Sequence, residues 1–217
     1  MLRLRHVYKT YQNDHHVLRD LNFEITKPGL HFITGESGSG KTTLFKLLTA
    51  QARPTSGEIF FENKNISNLN SDQISAYRKN IGIIFQDYKL ISDLSIYENI
   101  ILPLKIQKKN NVEISHQIGL VSEKLNLKNF LNEYPEHISG GQQQQAALAR
   151  ALIHNPHLII ADEPTGNLDT KNSSAVIETL SDCADGGALV LIATHDQNIL
   201  RQAPEKIFKL ISGQLST

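Results

Sequence analysis

One segment of the chain combines glycines, a lysine and hydroxyl residues at the spacing that binds phosphate. The pattern is a P-loop, in which two fixed glycines are followed by Lys and then by Ser or Thr. Glycines let backbone N–H groups approach phosphate oxygens, and a helix that follows adds its positive N-terminal end. We expect the Lys41 ammonium to reach terminal phosphates and the Thr42 hydroxyl to hold Mg²⁺. The segment consists of Gly35, Glu36, Ser37, Gly38, Ser39, Gly40, Lys41, Thr42 and Thr43.

A second segment places two carboxylates directly after an apolar run at residues 158–161. If that run is a buried strand, Asp162 and Glu163 lie at its carboxyl end, where open α/β sheets bind ligands. Asp162 is then suited to holding Mg²⁺, and Glu163 to polarising an attacking water. The alternative is a plain surface turn, since Asp-Glu-Pro is a common way to leave a strand. The P-loop upstream makes the functional interpretation the stronger one.

The elements that must position these residues alternate between strands and helices. Apolar runs or period-two alternation predict strands at 21–25, 30–34, 81–85, 157–161 and 188–194. Helical periodicity and composition predict helices over 43–50, 112–125, 140–154 and 170–184. This alternation favours an α/β fold with a parallel-rich sheet, N-terminal antiparallel strands and an inserted helical subdomain. We predict one domain over 1–217, with a core from 1–86 and 157–217 and a helical subdomain over 87–156.

Composition and charge exclude several classes of protein. Lys plus Arg and Asp plus Glu are equal at 22 each, so a basic footprint for nucleic acid is missing. No apolar run approaches the roughly 20 residues that span a bilayer, and the N-terminus lacks the apolar segment of a signal peptide. The single cysteine, Cys183, permits no internal disulfide and is expected to pack in the core. We therefore expect a cytoplasmic protein with no nucleic-acid partner and no direct membrane insertion.

Further motifs make the chain resemble the ABC-type ATP-binding cassettes. Residues 138–142, Ile-Ser-Gly-Gly-Gln, are similar to the signature sequence of that family, with Ile in the usual Leu position. They lie between the P-loop and the acidic strand, as in the family. The other matches are Tyr11 to the aromatic residue that stacks on adenine, Gln86 to the Q-loop glutamine, Asn167-Leu168-Asp169 to the D-loop, and His195 to the switch histidine. Together they cover essentially the whole chain.

The resemblance implies an ATPase that uses ATP and Mg²⁺ and works as a homodimer, because the P-loop of one cassette faces the signature of the other. It implies catalytic roles for Glu163, His195, Gln86 and Lys41. It implies Mg²⁺ ligands in Thr42, Gln86 and Asp162. The implied nucleotide contacts are Tyr11, the P-loop residues 35–43, Gln86, Ser139, Gly140, Gly141, Gln142 and Asp169.

Each of these residues also has a plain structural interpretation when it is taken alone. Ser139 fits an ordinary helix N-cap, and His195 fits a helix-start residue. Tyr11 fits a core position, and Gln86 fits the end of a strand. The inference depends on the ordered set of motifs rather than on any single one.

Two stretches narrow the resemblance within the family. Residues 162–169 are typical of a group that includes lipoprotein-releasing, macrolide-export and cell-division cassettes. Residues 84–90 and 95–100 most resemble FtsE-type cell-division ATP-binding proteins, which act with an FtsX-type membrane protein. The resemblance thus implies a peripheral protein on the cytoplasmic face of the bacterial inner membrane, with residues 87–103 as the docking surface. The ATPase of a lipoprotein-releasing or macrolide-export transporter is the alternative.

One residue departs from the family pattern. Gln145 stands where the family usually has an arginine after the signature, so a cation near that helix is lost. This leaves open a slow or non-hydrolysing, nucleotide-gated scaffold at the division site. A P-loop kinase is a further alternative, but it would need an acceptor pocket and a lid, which the signature helix does not suit.

Overall fold

Two β-sheets meet at the P-loop in the computed structural model, which describes residues 1–11, 15–166, 168, 170–201 and 207–216. The strands are β1 (Leu2–Tyr11), β2 (His15–Ile25), β3 (Gly29–Thr34), β4 (Ser56–Phe61), β5 (Lys64–Asn65), β6 (Ile81–Ile84), β7 (Leu158–Asp162), β8 (Leu189–Ala193), β9 (Ile207–Ile211) and β10 (Gln214–Ser216). The helices are α1 (Lys41–Leu48), α2 (Ser71–Arg78), α3 (Ile96–Ile106), α4 (Asn111–Lys124), α5 (Gly140–Leu152), α6 (Thr170–Asp185) and α7 (Gln197–Leu200).

The smaller sheet is antiparallel and has the strand order β2-β1-β4-β5. Its apolar residues alternate with polar ones, so one face is buried and the other faces solvent. Leu2, Leu4, Leu21 and Ile59 belong to the buried face and pack in the same cluster as α1. This sheet therefore supports the helix that follows the P-loop.

The larger sheet has the order β10-β9-β3-β8-β7-β6, and the five strands from β9 to β6 are parallel. All residues of β8 are buried, as expected for a strand covered on both faces. Asp162 pairs in register with Ala193, and Ala193 pairs with Ile33. The P-loop after β3, the carboxylates after β7 and His195 after β8 consequently emerge at one edge of the sheet.

Between β6 and β7 the described elements are helices: α3, α4, α5 and 3-10 turns at Lys128–Phe130 and Pro135–His137. The three α-helices each begin with a capping box, formed by Ser95 with Glu98, Asn110 with Glu113, and Ser139 with Gln142. These boxes satisfy backbone donors that a helix start leaves free. The predicted fold class is confirmed, and the exact boundaries of the helical subdomain stay a prediction.

Element ends differ from the sequence prediction by a few residues. Helix α1 begins at Lys41 rather than at residue 43, and α5 ends at Leu152 rather than at residue 154. The chain turns after α5 because Asn155 adopts a left-handed backbone with φ 51°.

Cys183 is only partly buried, although it packs against the larger core cluster. Among the described residues no helix is long and apolar enough to cross a membrane.

Candidate active site

A single cavity of about 570 Å³ at the carboxyl edge of the parallel sheet collects most of the predicted site residues. Its lining includes the P-loop, Gln86 after β6, both carboxylates after β7 and the histidine after β8. The lining residues are Val17, Gly35, Glu36, Ser37, Gly38, Gly40, Lys41, Thr42, Thr43, Gln86, Asp162, Glu163 and His195. The strand order explains the convergence, because β3, β8, β7 and β6 are neighbours.

The P-loop backbone has the geometry of an anion cradle. Gly40 adopts φ 109°, and a Cβ there would come within 2.7 Å of the Leu18 side chain, so the turn requires glycine. No side chain caps α1 and no acidic residue lies in its first turn, which leaves its N-terminal donors for a ligand. The Ser39 hydroxyl is buried and has no hydrogen-bond partner among the described residues. These features fit bound phosphate groups.

Lys41 is held by the P-loop itself. Its Nζ donates to the Gly35 carbonyl at 2.6 Å and to the Glu36 carbonyl at 3.1 Å. Both acceptors are neutral, and charged acceptors make stronger hydrogen bonds with an ammonium group. A phosphate in the cradle would therefore compete well for this lysine.

Asp162 and Thr42 form the oxygen-rich side of the cavity. The Thr42 hydroxyl donates to Asp162 Oδ2 at 3.3 Å. Burial raises the pKa of the Asp162 carboxyl above its usual value, the charge of Glu163 adds to that, and the Thr42 hydrogen bond and Lys41 oppose it. Within the described part of the chain there is no cluster of three His, Cys, Asp or Glu residues that would hold a metal by itself. One carboxylate and one hydroxyl fit Mg²⁺, which usually completes its shell with water and substrate phosphates.

The raised pKa of Asp162 predicts that this carboxylate destabilises the ligand-free fold. The folded state holds the proton more tightly than the unfolded state, so stability falls as pH rises through and above the usual carboxyl pKa of 3.8. We expect Asp162→Asn to raise the melting temperature of ligand-free protein at pH 7, with a gain that shrinks as pH falls toward the usual carboxyl pKa of 3.8. Thermal unfolding at several pH values measures this.

The same variant should lose the dependence of ATP binding on Mg²⁺, because a neutral amide is a poor ligand for that ion. Asp72→Asn, in the first turn of α2 and outside the cavity, is the control. A wild-type melting temperature at pH 7 together with unchanged Mg²⁺ dependence would contradict the assignment of Asp162.

Glu163 and His195 are in direct contact. His195 Nδ1 lies 2.8 Å from Glu163 Oε1, and the glutamate side chain is 13% exposed against 79% for the histidine. Glu163 adopts a left-handed backbone with φ 47°, and its N–H donates to the Ala193 carbonyl at 2.9 Å. Non-glycine residues adopt this conformation at a cost, and such strain concentrates at functional sites. The contact joins two side chains that both line the cavity.

Sequence reasoning missed the pairing of these two side chains. It named Glu163 and His195 separately, on motifs 32 positions apart. The available signal was that each directly follows a buried parallel strand, and the two strands are neighbours. The left-handed backbone of Glu163 could not be predicted, because glutamate is not a residue type that favours this conformation.

Some predicted site residues lie outside the cavity. Tyr11 is 43% exposed at the end of β1, with Lys9 Nζ 4.9 Å from its ring centre, so its interpretation as a core residue is wrong. Ser139 and Gly140 are exposed at the start of α5, and no residue of 139–142 lines the cavity. Asn167 and Asp169 lie outside the described residues.

Comparison with known proteins decides the family. Residues 18–166 match the family described as ABC transporter. The chain belongs to the ABC transporter family. As an ABC cassette it is an ATPase that uses ATP with Mg²⁺, and the resemblance predicted from its motifs is confirmed.

Several ABC proteins are similar over nearly the whole chain. The cell division ATP-binding protein FtsE of Escherichia coli K12 is 34% identical over 215 residues, which covers 99% of this chain and 97% of the relative. The lipoprotein-releasing system ATP-binding protein LolD of Buchnera aphidicola is 36% identical, with coverage of 99% and 94%. The ABC transporter ATP-binding protein YxdL of Bacillus subtilis is 40% identical, with coverage of 90% and 78%.

A solved ABC structure matches the fold closely. The cassette MJ0796, described as a dimer in a post-hydrolysis state bound to ADP and Pi, superposes with a TM-score of 0.92 at 33% identity. The match covers 100% of this chain and 97% of that one. The same cassette is also described as a dimeric bacterial ABC transporter cassette. Homologous structures of this ABC ATPase are therefore dimeric.

Proposed function

We propose that two copies of this chain dimerise around ATP and that its hydrolysis drives a separate membrane protein of the FtsX type in cell division. The observation that carries the proposal is the cavity that gathers Lys41, Gln86, Asp162, Glu163 and His195. The exposed signature residues, which this cavity does not use, support the dimer.

The chemistry follows from what phosphoryl transfer needs, which is positioning and charge neutralisation. Lys41 and the amides of the P-loop bind the phosphates. Thr42, Gln86 and Asp162 hold Mg²⁺, which neutralises phosphate charge when it is bound. Glu163 orients a water and accepts its proton, because its carboxylate lies at the cavity wall. His195 holds that carboxylate through the 2.8 Å contact of its Nδ1 with Glu163 Oε1.

The open surroundings of the two signature glycines, Gly140 and Gly141, support the dimer. A Cβ at Gly140 would meet only the Tyr88 hydroxyl, at 3.6 Å, and one at Gly141 would meet atoms no closer than 3.7 Å. The packing of this chain would therefore accept alanine at both positions. Two glycines at a capped helix start instead leave backbone donors open to an outside anion. We propose that this anion is the nucleotide of the second copy, with Ser139, Gly140, Gly141 and Gln142 as its contacts.

Two further nucleotide contacts belong to the same proposal. The Tyr11 ring is 43% exposed, which leaves part of its surface for stacking on adenine beside the Lys9 ammonium. Asp169 would act across the dimer, on the resemblance of residues 167–169 to the D-loop.

The membrane partner is proposed from the relatives and from one groove. FtsE proteins of several bacteria are 32–35% identical over nearly the whole chain. A groove of about 360 Å³ lies beside residues 87–103 and is lined by both apolar and basic side chains. Its apolar residues are Ile81, Ile83, Leu102, Pro103, Ile106 and Ala151, and its basic residues are Arg78, Lys79, Arg150 and His154. We propose that a segment of an FtsX-type protein docks there, which would place the chain on the cytoplasmic face of the inner membrane.

Docking predicts that Leu102→Glu abolishes co-purification with the membrane partner, because the substitution replaces part of the groove's apolar surface with a charged, hydrated side chain. The matched control is Val112→Glu, which puts the same charge on α4 at a side chain that is 80% exposed. Co-expression of the FtsX-type protein of the same cell, followed by affinity capture, measures binding. If Leu102→Glu retains the partner, the groove is not the docking site. If a lipoprotein-releasing permease is captured instead, the chain belongs to that transporter.

The function as a whole is tested by Mg²⁺-ATP turnover of the purified chain, alone and with the membrane partner. Turnover that rises with the partner supports the coupled engine. Binding of ATP without turnover in both settings would favour the scaffold alternative. Gln145→Arg would then be the first reversion to test, because Gln145 replaces the usual cation in α5.

A further inference from the structure

Residues 86–89 make a tight turn that is closed in part by local backbone hydrogen bonds, donated by the N–H groups of Tyr88 and Lys89. Tyr88 and Lys89 both adopt left-handed backbones, with φ 60° and 49°. Successive non-glycine residues in this region are strained, so surrounding contacts must help to fix them. Gln86, a cavity residue, is the first residue of this turn. The placement of Gln86 therefore depends on the contacts that hold Tyr88 and Lys89.

A long-range contact that also holds the turn comes from helix α5. Arg150 Nη2 donates to the Tyr88 carbonyl at 2.7 Å, and Arg150 Nη1 donates to the Lys89 carbonyl at 2.6 Å. The two bonds use the planar fork of the guanidinium, which an ammonium group cannot reproduce. The guanidinium is partly buried, so solvent weakens these bonds little. Arg150 lies in the last turn of α5.

Tyr88 also lies near the other end of the same helix. Its hydroxyl is 3.6 Å from the position that a Cβ on Gly140, the first residue of α5, would take. One residue of the turn thus accepts a hydrogen bond from the last turn of α5 and places its side chain beside the first. Helix α5 spans these 13 residues without a break, and its interior face is buried.

We infer that Arg150 and Tyr88 form a clamp that makes the Gln86 turn and the signature residues 139–142 move as one body. This inference rests on the proposed function, in which Gln86 serves the ATP of its own chain and the signature serves that of the second copy. The clamp would then link the two ATP sites within each subunit. Arg150 is a positioning residue here, since it does not line the nucleotide cavity.

Hydrogen exchange of the ligand-free chain tests the clamp without any need for activity. Arg150→Lys is expected to speed amide exchange about tenfold or more in both segments, 86–91 and 139–145, as a shared local opening. The matched control is Arg78→Lys, because Arg78 binds two consecutive carbonyls, Thr49 and Ala50, at 3.1 and 2.9 Å elsewhere in the fold. That control should leave both segments unchanged. Faster exchange in only one segment, or in neither, would overturn the clamp.

The second test measures the ATPase kinetics of the purified chain without its membrane partner. Arg150→Lys should lower kcat for ATP about tenfold with KM nearly unchanged, since misplacing a catalytic group costs rate rather than binding. In the Gln86→Ala background the same substitution should cost less than in the wild-type chain, because only its effect on the signature residues remains. Additive losses would overturn the link to Gln86.

A second variant keeps the inference testable if the Arg150→Lys protein does not fold. Tyr88→Ala removes the side chain beside Gly140 but keeps the carbonyl that Arg150 binds, so exchange should rise mainly in 139–145. Wild-type exchange there would contradict the inference. Failure of the proposed function is a separate outcome, because a wild-type chain without turnover would still give the exchange results.

Discussion

Replacing Glu163 with Gln is expected to slow Mg²⁺-ATP turnover by about 10²–10⁴-fold, the usual contribution of a general base. The amide keeps the size of the side chain and retains an oxygen that can stay 2.8 Å from His195 Nδ1. It cannot accept the proton of an attacking water. ATP binding should persist, because the P-loop is untouched. Phosphate release measures turnover, and equilibrium titration with ATP measures binding.

The chain supplies a close control for this variant. Glu62 also adopts a left-handed backbone, with φ 50°, and its Oε1 lies 3.1 Å from His157 Nδ1, outside the nucleotide cavity. Glu62→Gln therefore repeats the same change in a matched Glu–His pair, and we expect turnover within about twofold of wild type. Undiminished turnover in Glu163→Gln would refute the role of Glu163 as the base.

The Glu163→Gln variant also distinguishes an ATP-hydrolysing enzyme from a non-hydrolysing scaffold. If ATP holds two copies together until it is hydrolysed, slow hydrolysis should trap the dimer. Sedimentation of Glu163→Gln with ATP should then give twice the monomer mass, and sedimentation with ADP should give the monomer. A monomer under both conditions would argue against the nucleotide-bridged dimer, while leaving the hydrolytic role of Glu163 intact.

Parts of the site that depend on local sequence could be predicted, and parts that depend on tertiary contact could not. The P-loop and the acidic strand could be predicted because their glycines, lysine and carboxylates follow apolar runs at fixed spacing. The bond from Arg150 to Tyr88 joins residues 62 positions apart, and no period in the sequence encodes it. The left-handed backbones at Glu163 and Tyr88 occur at residue types that usually avoid them.

The signature residues illustrate a different limit. Their order along the chain indicated their role, and the capping box at Ser139 places them at an exposed helix start. Yet they lie away from the cavity of their own chain. Their proposed ligand belongs to a second copy, so neither the sequence nor a single fold brings the whole site together.

Replacing Lys41 with Ala is expected to weaken ATP binding about 10- to 100-fold. Hydrogen bonds between charged groups are worth roughly 1.5–3 kcal/mol, and each 1.4 kcal/mol is a factor of ten in affinity. The fold should survive, because the carbonyls that Lys41 now holds, at Gly35 and Glu36, border an open cavity and can bind water. Titration with ATP at fixed Mg²⁺ measures the loss.

Lys46→Ala is the control for charge, since Lys46 is exposed on the same helix α1 and lies outside the cavity. Its removal should change ATP affinity less than about twofold. The two lysines share a helix, so a general effect of helix charge would weaken binding in both variants. A loss confined to Lys41→Ala means that phosphate is bound at the P-loop of the same chain. Together with Glu163→Gln, which should bind without turning over, it would separate nucleotide capture from hydrolysis within one cavity.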